Sequence, residues 1–214
     1  LDAGARIDAD GRRHEALSGP GAATTANRSI GGGYGGQGGM GDSGGPGGAV
    51  YGNAAVAGDP GSGGCLSTAL GGAGGGAVRI DAFGICTLNG LITANGTNGL
   101  NSGGSYASGG SGGGVAITCG TLAGNGLIQV KGGKAPTANA GKGGGGRIAV
   151  HYANASPWPG IRFAGTPGSA GAAAGENYIA GNGTLYLSDT AALGAVIDGN
   201  RFTDIDLYIE GTTA

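Results

Sequence analysis

The chain has 214 residues, 57 of them Gly, with charged residues at 11 %, aromatics at 5 % and a formal net charge of −2. That balance excludes a solvated charged tail and leaves no basic footprint for nucleic acid; no apolar run approaches the roughly 18 residues that membrane insertion requires. Gly costs about 1 kcal/mol per helical position relative to Ala, so a helical protein is excluded too.

The chain begins at Leu1 without Met or a signal-like segment, and LDAGARIDADG reads as the middle of a repeat. A piece of a longer chain is expected. In residues 1–30, a partial repeat and loop, Ala5 leads to Ile7 and Ala9, apolar at alternate positions. Such alternation marks a short strand with one buried face. Residues 31–76 form Gly-rich legs. Within 31–48, Tyr34, Gln37, Met40, Ser43 and Pro46 fall at every third place, and Ser102, Ser105, Ser108 and Ser111 repeat that spacing further on. Three residues per turn is the period of a polyproline-II helix, which has no internal hydrogen bonds and turns its amides outward. Gly at the other two positions lets neighbouring main chains approach and bond.

Residues 77–152 hold two to three strand-and-leg repeats. Gly76 leads to Val78, Ile80 and Ala82, Gly113 to Val115, Ile117 and Cys119, and Gly146 to Ile148, Val150 and Tyr152. A second set starts at Gly90 (Ile92, Ala94) and Gly126 (Ile128, Val130). Successive copies lie 33–37 residues apart, a period suited to a stacked array. Whether 77–82 and 85–94 make a hairpin or a bent corner stays open. In 153–214, Gly183 leads to Leu185 and Leu187, and Asp204, Asp206 and Glu210 alternate with Ile205, Leu207 and Ile209 on a wet strand face. The whole predicts one all-β repeat domain. It is elongated and solenoid-like, with short strands and Gly-rich polyproline-II (polyglycine-II) legs packed alongside. The expected core is thin: Ile7, Val78, Ile80, Ile92, Val115, Ile117, Ile128, Ile148, Val150, Leu185 and Leu187.

The strings GGAGGGAVRIDA at 71–82, LNGLITANG at 88–96, LAGNGLIQVKGG at 122–133 and GGGGRIAVHY at 143–152 resemble a glycine-rich repeat of very large extracellular or cell-surface proteins of bacteria, algae, other protists and plants. The resemblance implies a secreted or surface setting. The period-three legs look like those of glycine-rich antifreeze proteins and phage tail-tip adhesins, an analogy of backbone packing alone.

No residue pattern specifies catalysis, a cofactor or a metal. GDSGGP at 41–46 looks like the nucleophile segment of chymotrypsin-like proteases. That site needs a His base and an Asp upstream, whereas His14 sits in GRRHEA and the motif falls in phase with the period-three tract. His151, between Val150 and Tyr152, is expected on a solvated strand face. Cys86 and Cys119 lie in adjacent repeats at non-equivalent positions, ten and six residues after their anchors. Both a cross-rung disulfide and two buried thiols fit them, with Cys65 left over. Asn27, Asn95, Asn154 and Asn182 head N-glycosylation sequons. Trp158, in SPWPG, closes a sheet end or stacks on a sugar.

The expected function is therefore structural and non-catalytic: an extracellular fibre, sheath or surface-adhesin segment that self-associates. The alternatives are a polysaccharide- or ice-binding module, for which the Ser102–Ser111 series is the candidate face, and a β-helical polysaccharide-degrading enzyme.

Overall fold

The computed structural model describes residues 1–22, 29–41, 44–65, 71–100, 107–156, 159–169, 179–193 and 199–210. Ten strands are present among these residues: β1 (Arg6–Asp8), β2 (Ala77–Thr87), β3 (Leu91–Thr93), β4 (Gly114–Ala123), β5 (Leu127–Gln129), β6 (Arg147–Ala155), β7 (Arg162–Ala164), β8 (Gly183–Leu187), β9 (Phe202–Thr203) and β10 (Ile205–Ile209). The helix among the described residues is a single 3-10 turn, Gly199–Arg201.

The strands sort by parity. β1-β3-β5-β7-β9 form one five-stranded sheet and β2-β4-β6-β8-β10 another, with every neighbouring pair parallel. This corrects the elongated solenoid-like array expected from the repeats. The structure is a fold of two parallel sheets, with one shared hydrophobic core cluster that takes residues from both. The reason is that a repeat spacing measures only the offset between partners in a ladder. Ala77 pairs with Gly114 and Gly114 with Arg147, 37 and 33 residues on. Leu91 pairs with Leu127 and Leu127 with Arg162, 36 and 35 residues on. Any parallel sheet with near-constant crossovers produces such a period.

The inward columns follow directly from the alternation. Val78, Val115, Ile148, Leu185 and Leu207 stand in one column, and Ile80, Ile117, Val150, Leu187 and Ile209 in the next. Ile7, Ile92, Ile128, Phe163 and Phe202 face them from the other sheet, and the Phe163 and Phe202 rings stack 5.9 Å apart. Residues 77–87 are neither a hairpin nor a corner. They form one strand with a register shift between Ala82 and Ile85. The extra residue turns Phe83 and Ile85 out to solvent and returns Cys86 to the core.

The Gly-rich segments make a second packed body of bare main chain. Their hydrogen bonds recur at three-residue steps. Gly72 and Gly75 donate to Ser108 and Ser111, Gly109 and Gly112 to Gly141 and Gly144, and Gly141 and Gly144 to Ser29 and Gly32, all at 2.7–3.0 Å. Residues 31–36, 61–65 and 107–115 are buried throughout, so each chain is enclosed by others. A Cβ at Gly110 would overlap the Ala73 carbonyl, and one at Gly143 the Gly110 carbonyl. The close approach, more than backbone freedom, is what requires Gly there. A Cβ at Gly84 on the bulge meets nothing within 4 Å.

Gly110→Ala is therefore expected to cost several kcal/mol, about 3 or more, because the overlap is with main chain that cannot swing aside. Gly84→Ala, in open space, is expected to be neutral or to stabilise by up to about 1 kcal/mol through the unfolded state. Midpoints of denaturant unfolding for the two variants check this.

Candidate functional site

Three polar arrangements stand out among the described residues. The first is buried. Arg147 starts β6 and is 5 % exposed. Its Nε and Nη2 donate to the Tyr51 carbonyl at 3.0 and 2.8 Å, and Nη1 to the Thr184 hydroxyl at 3.1 Å. The guanidinium lies 5.4 Å from the centroid of the Tyr34 ring, which packs 4.8 Å from Tyr51. The Tyr34 hydroxyl accepts the Asp59 amide at 3.1 Å, Tyr51 donates to the Pro60 carbonyl, and Ser62 donates to Tyr51 at 3.0 Å. Ser62 in turn donates its amide to Ser111 at 2.8 Å and accepts that of Gly21 at 2.9 Å. Burial pushes the Tyr51 phenol up to about 12 and Tyr34 higher still. The cluster fastens residues 49–62 over the outer face of the even-numbered sheet. Its chemistry is that of a clamp: hydroxyls and a cation spent on main-chain acceptors and donors.

The second arrangement is a ladder of side chains that lie mostly outside the strands. Asn89, Asn95 and Asn98 accept, through Oδ1, the amides of Asn125, Lys131 and Lys134, each 36 residues on, at 2.8–3.1 Å. Asp10 performs the same service for Asn95, taking its amide at 2.7 Å, and accepts Nδ2 of Asn95 at 3.3 Å. Arg6 bridges Asp8 and Asp10 at 2.9 and 3.0 Å.

The third is a groove of about 400 Å³ across the starts of the odd-numbered strands, lined by Arg6, Asn89, Leu91, Asn125, Leu127 and Arg162 and by main chain. Arg6, Leu91, Leu127 and Arg162 occupy successive rungs of one column.

The sequence-designated residues land as follows. Asn95 is half-buried with both side-chain atoms engaged, whereas Asn154 and Asn182 are exposed; Asn27 lies outside the described residues. Asn182 sits 3.4 Å from Asp206. Cys65, Cys86 and Cys119 are buried. Cys119 pairs with Ala82 and Cys86 with Leu122. The two thiols are thus offset by three residues along β4, about 10 Å in extended chain, beyond ordinary disulfide reach. Burial raises both thiols, Cys119 to about 11. His151 is half-buried, against the expectation of a solvated face: Nε2 is 2.6 Å from the Ala55 carbonyl and its ring lies 5.0 Å from Tyr186. His14 is 3.5 Å from the Ser18 hydroxyl; Asp42 and Ser43 of GDSGGP, and Trp158, lie outside the described residues. Ser108 and Ser111 are fully buried, so the serine series is not a solvent face there; Ser102 and Ser105 lie outside the described residues. Asp204, Asp206 and Glu210 are exposed. Sequence reading passed over Arg147, Tyr51 and the Asn ladder. The 36-residue recurrence of Asn89 and Asn125 was the available signal.

None of the protein-family models, curated proteins or solved structures compared with the chain matches it.

Two outcomes are expected. Asn95→Ala removes an acceptor and a donor from the ladder and costs about 1–3 kcal/mol, whereas Asn154→Ala stays within about 0.5 kcal/mol. Thermal unfolding of the pair checks this. Tyr51 is raised in the folded state, so its contribution is complete below the ordinary phenol value near 10 and is lost as pH rises from there towards 12. Stability therefore falls with alkalinity over that interval, and less steeply in Tyr51→Phe; tyrosinate absorbance and circular dichroism against pH measure both.

Proposed function

We propose that the chain is a non-catalytic structural segment of an extracellular or cell-surface assembly, one that associates with itself. A single observation carries this reading: the polar side chains of the first two arrangements hold main chain. Arg147, Ser62, Ser111 and Asn95 each bond to backbone groups of distant segments. Low charge favours close packing against like surfaces. The resemblance to glycine-rich repeats of extracellular proteins supports the location.

A second reading rests on the groove. Two asparagines one rung apart, between two arginines three rungs apart, suit hydroxyl and carboxylate groups of an extended polysaccharide, whose sugars repeat at a length close to the strand spacing of about 4.8 Å.

Negative-stain electron microscopy and sedimentation of the purified chain separate the two. Ordered polymers at micromolar concentration are expected. A monomer at every concentration that binds immobilised polysaccharide, with the signal lost in Arg162→Ala, would favour the groove instead.

A further inference from the structure

The side chains of the groove across the starts of the odd-numbered strands offer donors and no carboxylate. We infer that this groove binds an acidic polysaccharide, a run of 1,4-linked uronic acid residues lying across the strands with one carboxylate on Arg162. The inference rests on the groove reading above and names the sugar class that the site selects.

The site does not depend on a sheet edge. Asn89, Leu91, Asn125, Leu127 and Arg162 belong to β3, β5 and β7 or to the residues just before them, and each of these strands is paired on both sides. The fold orients the two asparagine amides. Asn89 accepts the Asn125 amide through Oδ1 at 3.1 Å. The Asn125 Oδ1 faces Gly160, where a Cβ would overlap it. Each Oδ1 is thus directed along the ladder, and neither Nδ2 has an acceptor among the described residues. Both residues are exposed, so two N–H donors one rung apart are accessible to a ligand.

The two arginines differ. Arg6 is held by Asp8 at 2.9 Å and Asp10 at 3.0 Å and also donates to Thr93, so its charge is balanced within the chain. Arg162 is exposed, and its guanidinium meets no acceptor among the described residues. The uncompensated charge of the groove is therefore that of Arg162, whose planar fork matches a carboxylate. Leu91 and Leu127, half-buried on the two rungs between the arginines, supply aliphatic surface for the C–H faces of sugar rings. A peptide strand fits less well. The amides of Leu91, Leu127 and Arg162 already donate to Ala5, Gly90 and Gly126, so the main chain that an added strand pairs with is engaged. A polysaccharide needs none of it. Its hydroxyls and carboxylates are acceptors, and three rings span the roughly 14 Å across three rungs from Arg6 to Arg162.

Isothermal titration calorimetry of the full chain with two matched hexasaccharides tests this. β-1,4-linked mannuronate and β-1,4-linked mannose differ only in bearing a carboxylate or a hydroxymethyl group on each ring. Mannuronate is expected to bind about tenfold more tightly or better, with the difference shrinking as salt is added. Arg162→Gln is expected to reduce the mannuronate affinity to that of mannose, and Arg162→Lys to restore part of it. Asn89→Asp keeps the oxygen that accepts the Asn125 amide, removes the donor and sets a negative charge in the groove. It is expected to abolish mannuronate binding while circular dichroism matches the parent chain. Equal affinity for the two sugars overturns the acidic ligand and leaves the groove reading standing. A mannuronate preference that survives Arg162→Gln places the anion elsewhere and overturns the inference too. A glutamate hexapeptide that binds as tightly as mannuronate shows that charge alone is read and overturns the sugar class. Binding of none of the three overturns both this inference and the groove reading.

Discussion

The structure depends on main chain packing against main chain. Where most domains separate their backbones with side chains, this one brings Gly segments within hydrogen-bonding distance of each other on several sides. A net hydrogen bond is worth only about 0.5–1.5 kcal/mol, and ordering Gly costs more entropy than ordering any other residue. The balance is met by number and by enclosure. A buried amide without a partner costs more than a formed bond contributes, so once neighbouring segments are in place each further segment is held to one register. The apolar core between the sheets supplies the remainder, and the two bodies are joined at Gly113–Gly114 and Gly146–Arg147, where a Gly segment becomes a strand without a turn.

This arrangement explains where the polar side chains went. A lattice of carbonyls and amides leaves unfilled positions at its rim and at strand starts. Arg147, Ser62, Ser111, Asn95 and Asp10 occupy them. Their reach is long in sequence and short in space. Tyr34 packs against the Arg147 guanidinium, and Tyr51 resists ionisation because it is itself buried, which outweighs the opposing pull of that nearby cation. Groups placed this way stabilise a shape.

The strands were legible because alternation is a local property. Val115, Ile117, Ile148, Val150, Leu185 and Leu187 are fully buried as their spacing required, and the non-equivalence of Cys86 and Cys119 appears as different partners in one ladder. Two sheets instead of an elongated solenoid-like array were not legible, because a repeat length fixes an offset and leaves the closure of the layers to packing. His151 was misplaced for a related reason: alternation puts it on the outer face, and residues 49–62, far off in sequence, then cover that face. The Arg147 clamp carries no local signal at all, since its partners lie 96 and 37 residues away. Ser108 and Ser111 show the limit of the period-three reading: it marks equivalent positions without saying whether the third face meets water or another chain.

Native-state amide exchange, resolved by segment, tests the central claim most directly. The account predicts that amides of 31–36, 71–76, 108–113 and 141–146 exchange as slowly as those of Val115, Ile148 and Leu185, opening only with the whole molecule. Exchange of the Gly segments at the rate of free peptides, with the strands still protected, would contradict it.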